Sequence, residues 1–237
     1  MTPVTVACVL VNGHVKVFRP EYVIKLANMV RPWMDRPYRF VCLTDYPRMA
    51  VRNIDLITIP SPAKVSRRFF WNYTAGDRVF AWWSKLELFN PKHGLSGRVL
   101  YLDLDALVVG PLAPILDYPS DFALIPDEGQ FTGKFGLKVV KRFNSSVMVW
   151  DAGGEKPKKL WNKFSPSVPA ALWGDQDFIG EQIPDADTMP AEWFPRISAL
   201  TELRQEPPKP PVKVVLCKWP KNTIAAEWYP WVRDAWI

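Results

Sequence analysis

The chain has 237 residues, 48% of them hydrophobic, with a formal net charge of +6 and a pI near 9.2. That length suits one domain or two tightly fused halves, and no apolar run reaches the length of a membrane span. Three cysteines cannot all pair, and with two histidines they show no zinc-ligand spacing, so reduced thiols in a cytoplasm are expected.

In chain order, Val4–Leu10 has no basic residues ahead of it and reads as a first strand rather than as the apolar core of a signal peptide. Glu21–Trp33, opened by Pro20, has helical spacing. Arg39–Leu43 and Leu56–Ile59 are strand-like, and Arg78–Phe89 has a helical period stopped by Asn90-Pro91. Val99–Leu102 is short and wholly apolar, the pattern of a strand buried on both faces. Phe122–Ile125 and Ser145–Trp150 are further strands, followed by a turn at Gly153-Gly154 and a helix containing Phe178 and Ile179. Glu206–Pro211 is a proline-rich connector, Val212–Leu216 a last strand, and the tail is rich in tryptophan. Alternation of strand and helix in the first half predicts an α/β fold with a mainly parallel sheet, flanked by helices, that binds its ligand at the strand C-termini.

The strongest chemical signal sits at that edge. Arg98-Val99-Leu100-Tyr101-Leu102-Asp103-Leu104-Asp105 ends a buried strand on two carboxylates, and if the chain stays extended both face the same side. Two convergent anions call for a cation between them, and carboxylate oxygens suit a hard divalent ion. Twelve tryptophans offer flat faces of the kind that cover the C–H side of a pyranose, although most tryptophans are core residues. Basic clusters at Arg67-Arg68, Lys134 to Arg142 and Lys156-Pro157-Lys158-Lys159 fit either a solvated surface or an anionic acceptor.

Asp103-Leu104-Asp105 resembles the Asp-x-Asp metal motif of GT-A glycosyltransferases, and the surrounding sequence is similar to family-8-like bacterial and viral members. The matching stretches, in the family's own order, are Cys42–Asp45, Trp82–Phe89, Tyr101–Asp105, Phe143–Trp150 and Gly174–Asp177. The resemblance implies a single GT-A, Rossmann-like domain with a smaller acceptor-side extension, 1–110 being the nucleotide-sugar-binding half and 111–237 the acceptor-side half and C-terminal tail. It implies Mn²⁺ or Mg²⁺ on Asp103 and Asp105, and a donor site that includes Val11, Asn12, Thr44, Asp45, Lys85, Asp103, Leu104, Asn144, Ser145 and Ser146. Asp175 and Gln176 match the loop beside the anomeric carbon, although Asp175 also suits a plain helix cap, and Lys85 an ordinary surface lysine.

One departure stands out. The family places a histidine, the third metal ligand, before a Pro-Lys pair near the last strand. Here Leu216-Cys217-Lys218-Trp219-Pro220-Lys221 keeps Pro-Lys without histidine, which leaves either one ligand fewer or Lys218 or Lys221 neutralising the diphosphate. The expected activity is transfer of a hexose from a nucleotide diphosphate sugar, UDP first among them, to a glycan hydroxyl, with a hydroxylated DNA base as the second acceptor. Two alternatives remain: a nucleotide-sugar-binding protein without turnover, and a haloacid-dehalogenase-like phosphatase, which also carries Asp-x-Asp after a strand.

Overall fold

The computed structural model describes residues 3–11, 18–46, 49, 51–62, 64–65, 78–79, 81–127, 143–165, 167–168, 172, 174–200, 206–217 and 229–236. A seven-stranded sheet runs in the order β10-β8-β9-β6-β1-β2-β3. Its strands are β1 (Val4–Leu10), β2 (Arg39–Thr44), β3 (Asp55–Thr58), β6 (Arg98–Leu102), β8 (Phe122–Pro126), β9 (Phe143–Asp151) and β10 (Asp187–Thr188). Two short pairs lie outside it, β4 (Lys64–Val65) with β5 (Arg78–Val79), and β7 (Ala106–Val108) with β11 (Val214–Leu216). Only β9 opposes its neighbours: β6–β1, β1–β2, β2–β3 and β10–β8 are parallel, whereas β6–β9 and β8–β9 are antiparallel. The expected α/β architecture with a mainly parallel sheet is the one observed.

Period-two alternation sorts the central strands onto two cores. Val6, Cys8, Phe40, Cys42, Leu100 and Leu102 face one side, where α1 (Pro20–Val30) lays down Val23, Leu26 and Val30. Ala7, Val41, Leu43, Val99 and Tyr101 face the other, against Trp83, Leu86 and Phe89, Leu160 of α3 (Glu155–Lys163) and Phe178 and Ile179 of α4 (Asp175–Gln182). Two short helices, α2 (Ala113–Leu116) and α5 (Pro230–Ala235), complete the first layer. No helix among the described residues is long and apolar enough to cross a membrane.

Three expectations shift. The helix expected over Arg78–Phe89 begins only at Ala81 and is wound as 3₁₀, because Arg78 and Val79 pair with Val65 and Lys64 instead. Its spacing explains the winding: Trp83, Leu86 and Phe89 recur every three residues, the repeat of a 3₁₀ turn, and all three are buried. The helix expected to Trp33 leaves α geometry at Arg31, where Pro32 tightens the last turn to 3₁₀. The last strand, β11, pairs not with the main sheet but with β7, a three-residue strand too short to show any period in sequence.

Arg98, at the start of β6, is nearly buried and ties the far end of the sheet together. It donates to the carbonyls of Leu116 (2.9 Å), Ser120 (2.6 Å) and Tyr118 (2.8 Å) and to Asp151 Oδ1 (3.2 Å). Gly97 before it has a φ of 68°, and a Cβ there would lie 1.9 Å from the Pro3 carbonyl oxygen, so only glycine fits. Replacing Arg98 by Met removes the guanidinium donors from three carbonyls, of which, among the described residues, only that of Tyr118 keeps another partner, the Ser120 N–H (2.7 Å), and should cost about 2–4 kcal/mol. Thermal and urea unfolding test this, and a change smaller than about 0.5 kcal/mol would show that water replaces the guanidinium freely.

Candidate active site

A strand buried on both faces can present polar groups only past its end, and β6 does so at the edge where β1, β2 and β3 also end. The chain does not stay extended there: the Ala106 N–H donates to the Asp103 carbonyl (3.0 Å), closing a turn. The turn sends Leu104 into the core, 5% exposed, and leaves Asp103 and Asp105 half-buried beside it. Leu104 can therefore offer a ligand its backbone but not its side chain.

Lys85 arrives from the 3₁₀ segment Ala81–Phe89 and is the centre of the site. Its Nζ lies 2.9 Å from Asp103 Oδ1 and 3.2 Å from Oδ2, donates to Ser145 Oγ (3.3 Å), and is 3.8 Å from Asp175 Oδ2. Tyr101 donates its hydroxyl to Asp103 Oδ1 (2.5 Å), and the Lys85 ammonium lies 5.5 Å from the Tyr101 ring centre. Ser145 in turn donates to Asp175 Oδ2 (2.6 Å). Asp175 is the first residue of α4, after the N-cap Gly174, so it is not the helix cap that the sequence also allowed.

The strand β9 is distorted to build this cluster. Across one step of β8, from Leu124 to Ile125, the partner on β9 jumps from Met148 to Asn144. On its other side β9 stays paired with β6 to Leu102 and Val147, and Ser146 accepts from the Asp103 N–H (2.8 Å). A bulge re-aims side chains, and here Ser145 turns to Asp175 and Lys85, while Asn144 lines an open cleft of about 380 Å³ with Ile125, Phe194, Arg196 and Leu216. Asn144 Oδ1 also accepts from the Ser146 N–H (2.8 Å), which fixes the bulge from within.

Charge and burial act in opposition. Burial alone would lower the Lys85 ammonium, but Asp103, Asp175 and Asp105 together hold it above the ordinary lysine value, and so charged. Burial raises the Asp175 carboxyl, with Lys85 and Ser145 pulling it back and Asp103 pushing it up. Burial and then the Asp103 charge raise the Tyr101 phenol, which therefore stays a donor. Three carboxylates against one ammonium leave two formal negative charges among the described residues, which suits a divalent cation, and the donors are hard oxygens.

Of the two residues near the expected third-ligand position, Cys217 is described and Lys218 is not. Leu216 pairs with Ala106, so Cys217 follows on beside Asp105. Burial first and the Asp105 charge second push its thiol up to about 12, so it is a neutral, soft group and a poor ligand for a hard ion. Among the described residues no three His, Cys, Asp or Glu side chains form a metal-holding cluster. Asp103 and Asp105 would hold a divalent ion only if other oxygens completed its coordination.

The other expected donor residues are spread along the same edge. Val11 follows β1 and packs on the second core. Thr44 ends β2 fully buried, its Oγ1 accepting from the Tyr46 N–H (3.0 Å), and Asp45 accepts from Ser61 Oγ (2.7 Å). Gln176 is half-buried in the first turn of α4. Asn12, Lys218 and Lys221 lie outside the described residues, as do Arg67, Arg68, Lys134, Lys138, Lys141 and Arg142. The remaining basic cluster is elsewhere: α3 starts at the opposite edge, Lys156 pairs with Asp121 (2.8 Å), and Lys158 pairs with Glu155 (2.8 Å). Tyr101 was missed as a site residue, although its place two before Asp103 on the same face of the strand was a usable signal.

No family model and no curated protein matches the chain. Solved structures match in fold. The galactosyltransferase LgtC, in complex with donor and acceptor sugar analogs, aligns over 98% of this chain and 90% of its own, with a TM-score of 0.61 and 18% identity. An active-site mutant of LgtC covers 98% and 95% at a TM-score of 0.61 and 16% identity. The apo-form glycosyltransferase GlyE of Streptococcus pneumoniae covers 99% of this chain and 63% of its own, with a TM-score of 0.54 and 13% identity. The chain therefore has the GT-A fold.

The raised Asp175 carboxyl makes a prediction about stability. It holds its proton more tightly folded than unfolded, so its ionisation weakens the fold as pH rises, and the penalty vanishes below the unfolded carboxyl range. In chelator, Asp175→Asn should therefore melt no lower than the wild type at pH 7, with any advantage shrinking towards pH 4. A large loss of Tm at pH 7 would mean that the Lys85 contact outweighs burial at Asp175.

Proposed function

We propose that the protein transfers a hexose from a nucleotide diphosphate sugar, with UDP as the nucleotide, to a hydroxyl of a glycan acceptor. The observation that carries this reading is the convergence of Asp103, Asp105, Lys85 and Asp175 at the C-terminal edge of a mainly parallel sheet. Nucleotides bind at that edge in folds of this kind.

The difficulty in such a transfer is the negative charge that grows on the leaving diphosphate as the C1–O bond breaks. A bound Mn²⁺ or Mg²⁺ acts there as a Lewis acid on the phosphate oxygens. Asp103 and Asp105 supply oxygen ligands for it. Tyr101 steadies Asp103 by donating to Oδ1. Lys85, held charged, adds fixed positive potential in a partly desolvated place, where it counts for more than in water. Asp175, buried and oriented by Ser145 and by its place at the start of α4, is the anion facing positive charge that develops at the sugar. Asn144 and the cleft beyond it lie on the neighbouring side of β9, where an acceptor can approach.

A second reading, donor binding without turnover, draws on Cys217 standing where a histidine ligand is expected. A phosphatase of the haloacid-dehalogenase type is not carried further, since Asp103 follows the sixth strand of the chain rather than the first. Lys156 and Lys158, at the start of α3 on the edge away from Asp103, are held in ion pairs with Asp121 and Glu155, so that basic cluster lends no support to duplex DNA as acceptor.

Two measurements test the reading. A panel of nucleotide sugars should raise Tm selectively with Mn²⁺ present, and the same sugar should be transferred or slowly hydrolysed; stabilisation without any turnover would select the binding-only alternative. Asp103→Asn and Asp105→Asn should each lower turnover by about 100-fold or more while the protein stays folded. Near-normal turnover in either variant at limiting Mn²⁺ would remove the metal assignment.

A further inference from the structure

Asp103 has little left to give a metal. A carboxylate offers about four lone-pair positions, and Asp103 Oδ1 already receives the Tyr101 hydroxyl (2.5 Å) and the Lys85 ammonium (2.9 Å). Lys85 also reaches Oδ2 (3.2 Å), so one ammonium spans both oxygens of the residue that a cation needs. Asp105 lies within electrostatic reach of the same ammonium. A cation approaching the pair meets a positive charge seated on its first ligand.

Lys85 has a second seat close by. Asp175 Oδ2 is 3.8 Å from Nζ, and Ser145 Oγ, already bonded to Lys85 at 3.3 Å, stands between the two carboxylates as the donor to Asp175. A displacement of the ammonium towards Asp175 would loosen its hold on Asp103 and keep it beside Ser145 and a carboxylate. The pairing partner changes, and the ammonium stays compensated throughout. Because Lys85 is largely buried, with only 12% of its side chain exposed, it cannot simply swing into water.

We propose that Lys85 is an internal counter-ion that keeps Asp103 occupied in the free protein and transfers to Asp175 when a divalent cation engages Asp103. It is a positioning residue, and it has two consequences. It suppresses metal binding in the absence of nucleotide, since two positive charges then compete for one carboxylate. It also couples metal entry to the catalytic side of the site: the step that loads Asp103 is the step that brings Lys85 onto Asp175, where the sugar is expected. The nucleotide diphosphate overcomes the competition by adding oxygens and negative charge. This inference rests on the transferase reading.

The test is Mn²⁺ binding, read from the electron paramagnetic resonance signal of unbound Mn²⁺, with and without UDP. The proteins are wild type, Lys85→Met, and Lys85→Met combined with Asp175→Asn. The double variant preserves the formal charge of the cluster and guards against simple failure of the single variant to fold. Both variants should bind Mn²⁺ alone about tenfold or more tightly than wild type, and UDP should improve their Mn²⁺ affinity by a smaller factor. Transfer should nevertheless fall in both, because Asp175 has lost Lys85 or its own charge. Unchanged or weaker Mn²⁺ binding in both variants, with wild type still taking up Mn²⁺ beside UDP, would overturn this inference alone. Failure of wild type to bind Mn²⁺ even with UDP would sink the transferase reading and this inference with it.

Discussion

β6 is apolar on both faces because the sheet is covered on both sides, and such a strand can carry polar chemistry only beyond its last residue. Leu100 and Leu102 belong to one core, Val99 and Tyr101 to the other. The constraint decides where the carboxylates go, and it also decides their company. Asp103 continues the row of Val99 and Tyr101, so the first polar neighbour it meets is the hydroxyl of a tyrosine whose ring is core. The second is Lys85, delivered by a segment whose own buried row, Trp83, Leu86 and Phe89, packs on that same core. The hydrophobic layer thus places the charged groups and fixes the distances between them.

The resulting cluster is held by opposing tendencies. Burial works against both the Lys85 ammonium and the Asp175 carboxylate; Asp103 and Asp175 keep Lys85 charged, whereas Lys85 and Ser145 pull the Asp175 carboxyl back down against burial and the Asp103 charge. An ammonium shared among three carboxylates is a poor source of stability, because desolvation offsets most of the attraction. It is a good source of order. Every member has a defined partner, and the bulge that turns Ser145 into the cluster breaks the regular pairing of β8 with β9 to achieve it. Sheet regularity has been given up at the one place where ligand chemistry is expected.

The far edge of the same sheet shows the contrast. Arg98 is also buried and also paired with a carboxylate, but three of its four bonds go to backbone carbonyls at the end of α2 and just after it. That arrangement ties one cation to carbonyls and a single bonded carboxylate, so it behaves as a fastening. The cluster around Lys85 has both a surplus of negative charge and a second seat for its cation. Cys217, neutral beside Asp105, does nothing to relieve that surplus.

The sequence by itself determined the layered α/β fold, most strand positions, and the two carboxylates at a ligand edge. These follow from local signals: apolar runs of strand length, helical spacing, and polar residues immediately after a buried strand. It also carried Lys85, Ser145 and Asp175 as site residues through their resemblance to known motifs. It could not show that they touch, since Lys85 and Asp103 are 18 residues apart and Ser145 and Asp175 are 30 apart. Such contacts are set by how layers stack, which has no local pattern. For the same reason the 3₁₀ winding of Ala81–Phe89 read as an ordinary helix, and the turn at Asp103–Ala106 read as extended chain. The pairing of β11 with β7 likewise depends on a three-residue strand that only the tertiary structure reveals. The seating of Lys85 on Asp103, within reach of Asp175, was decided by packing alone, because long-range electrostatics acts only after the hydrophobic core has brought the charges together.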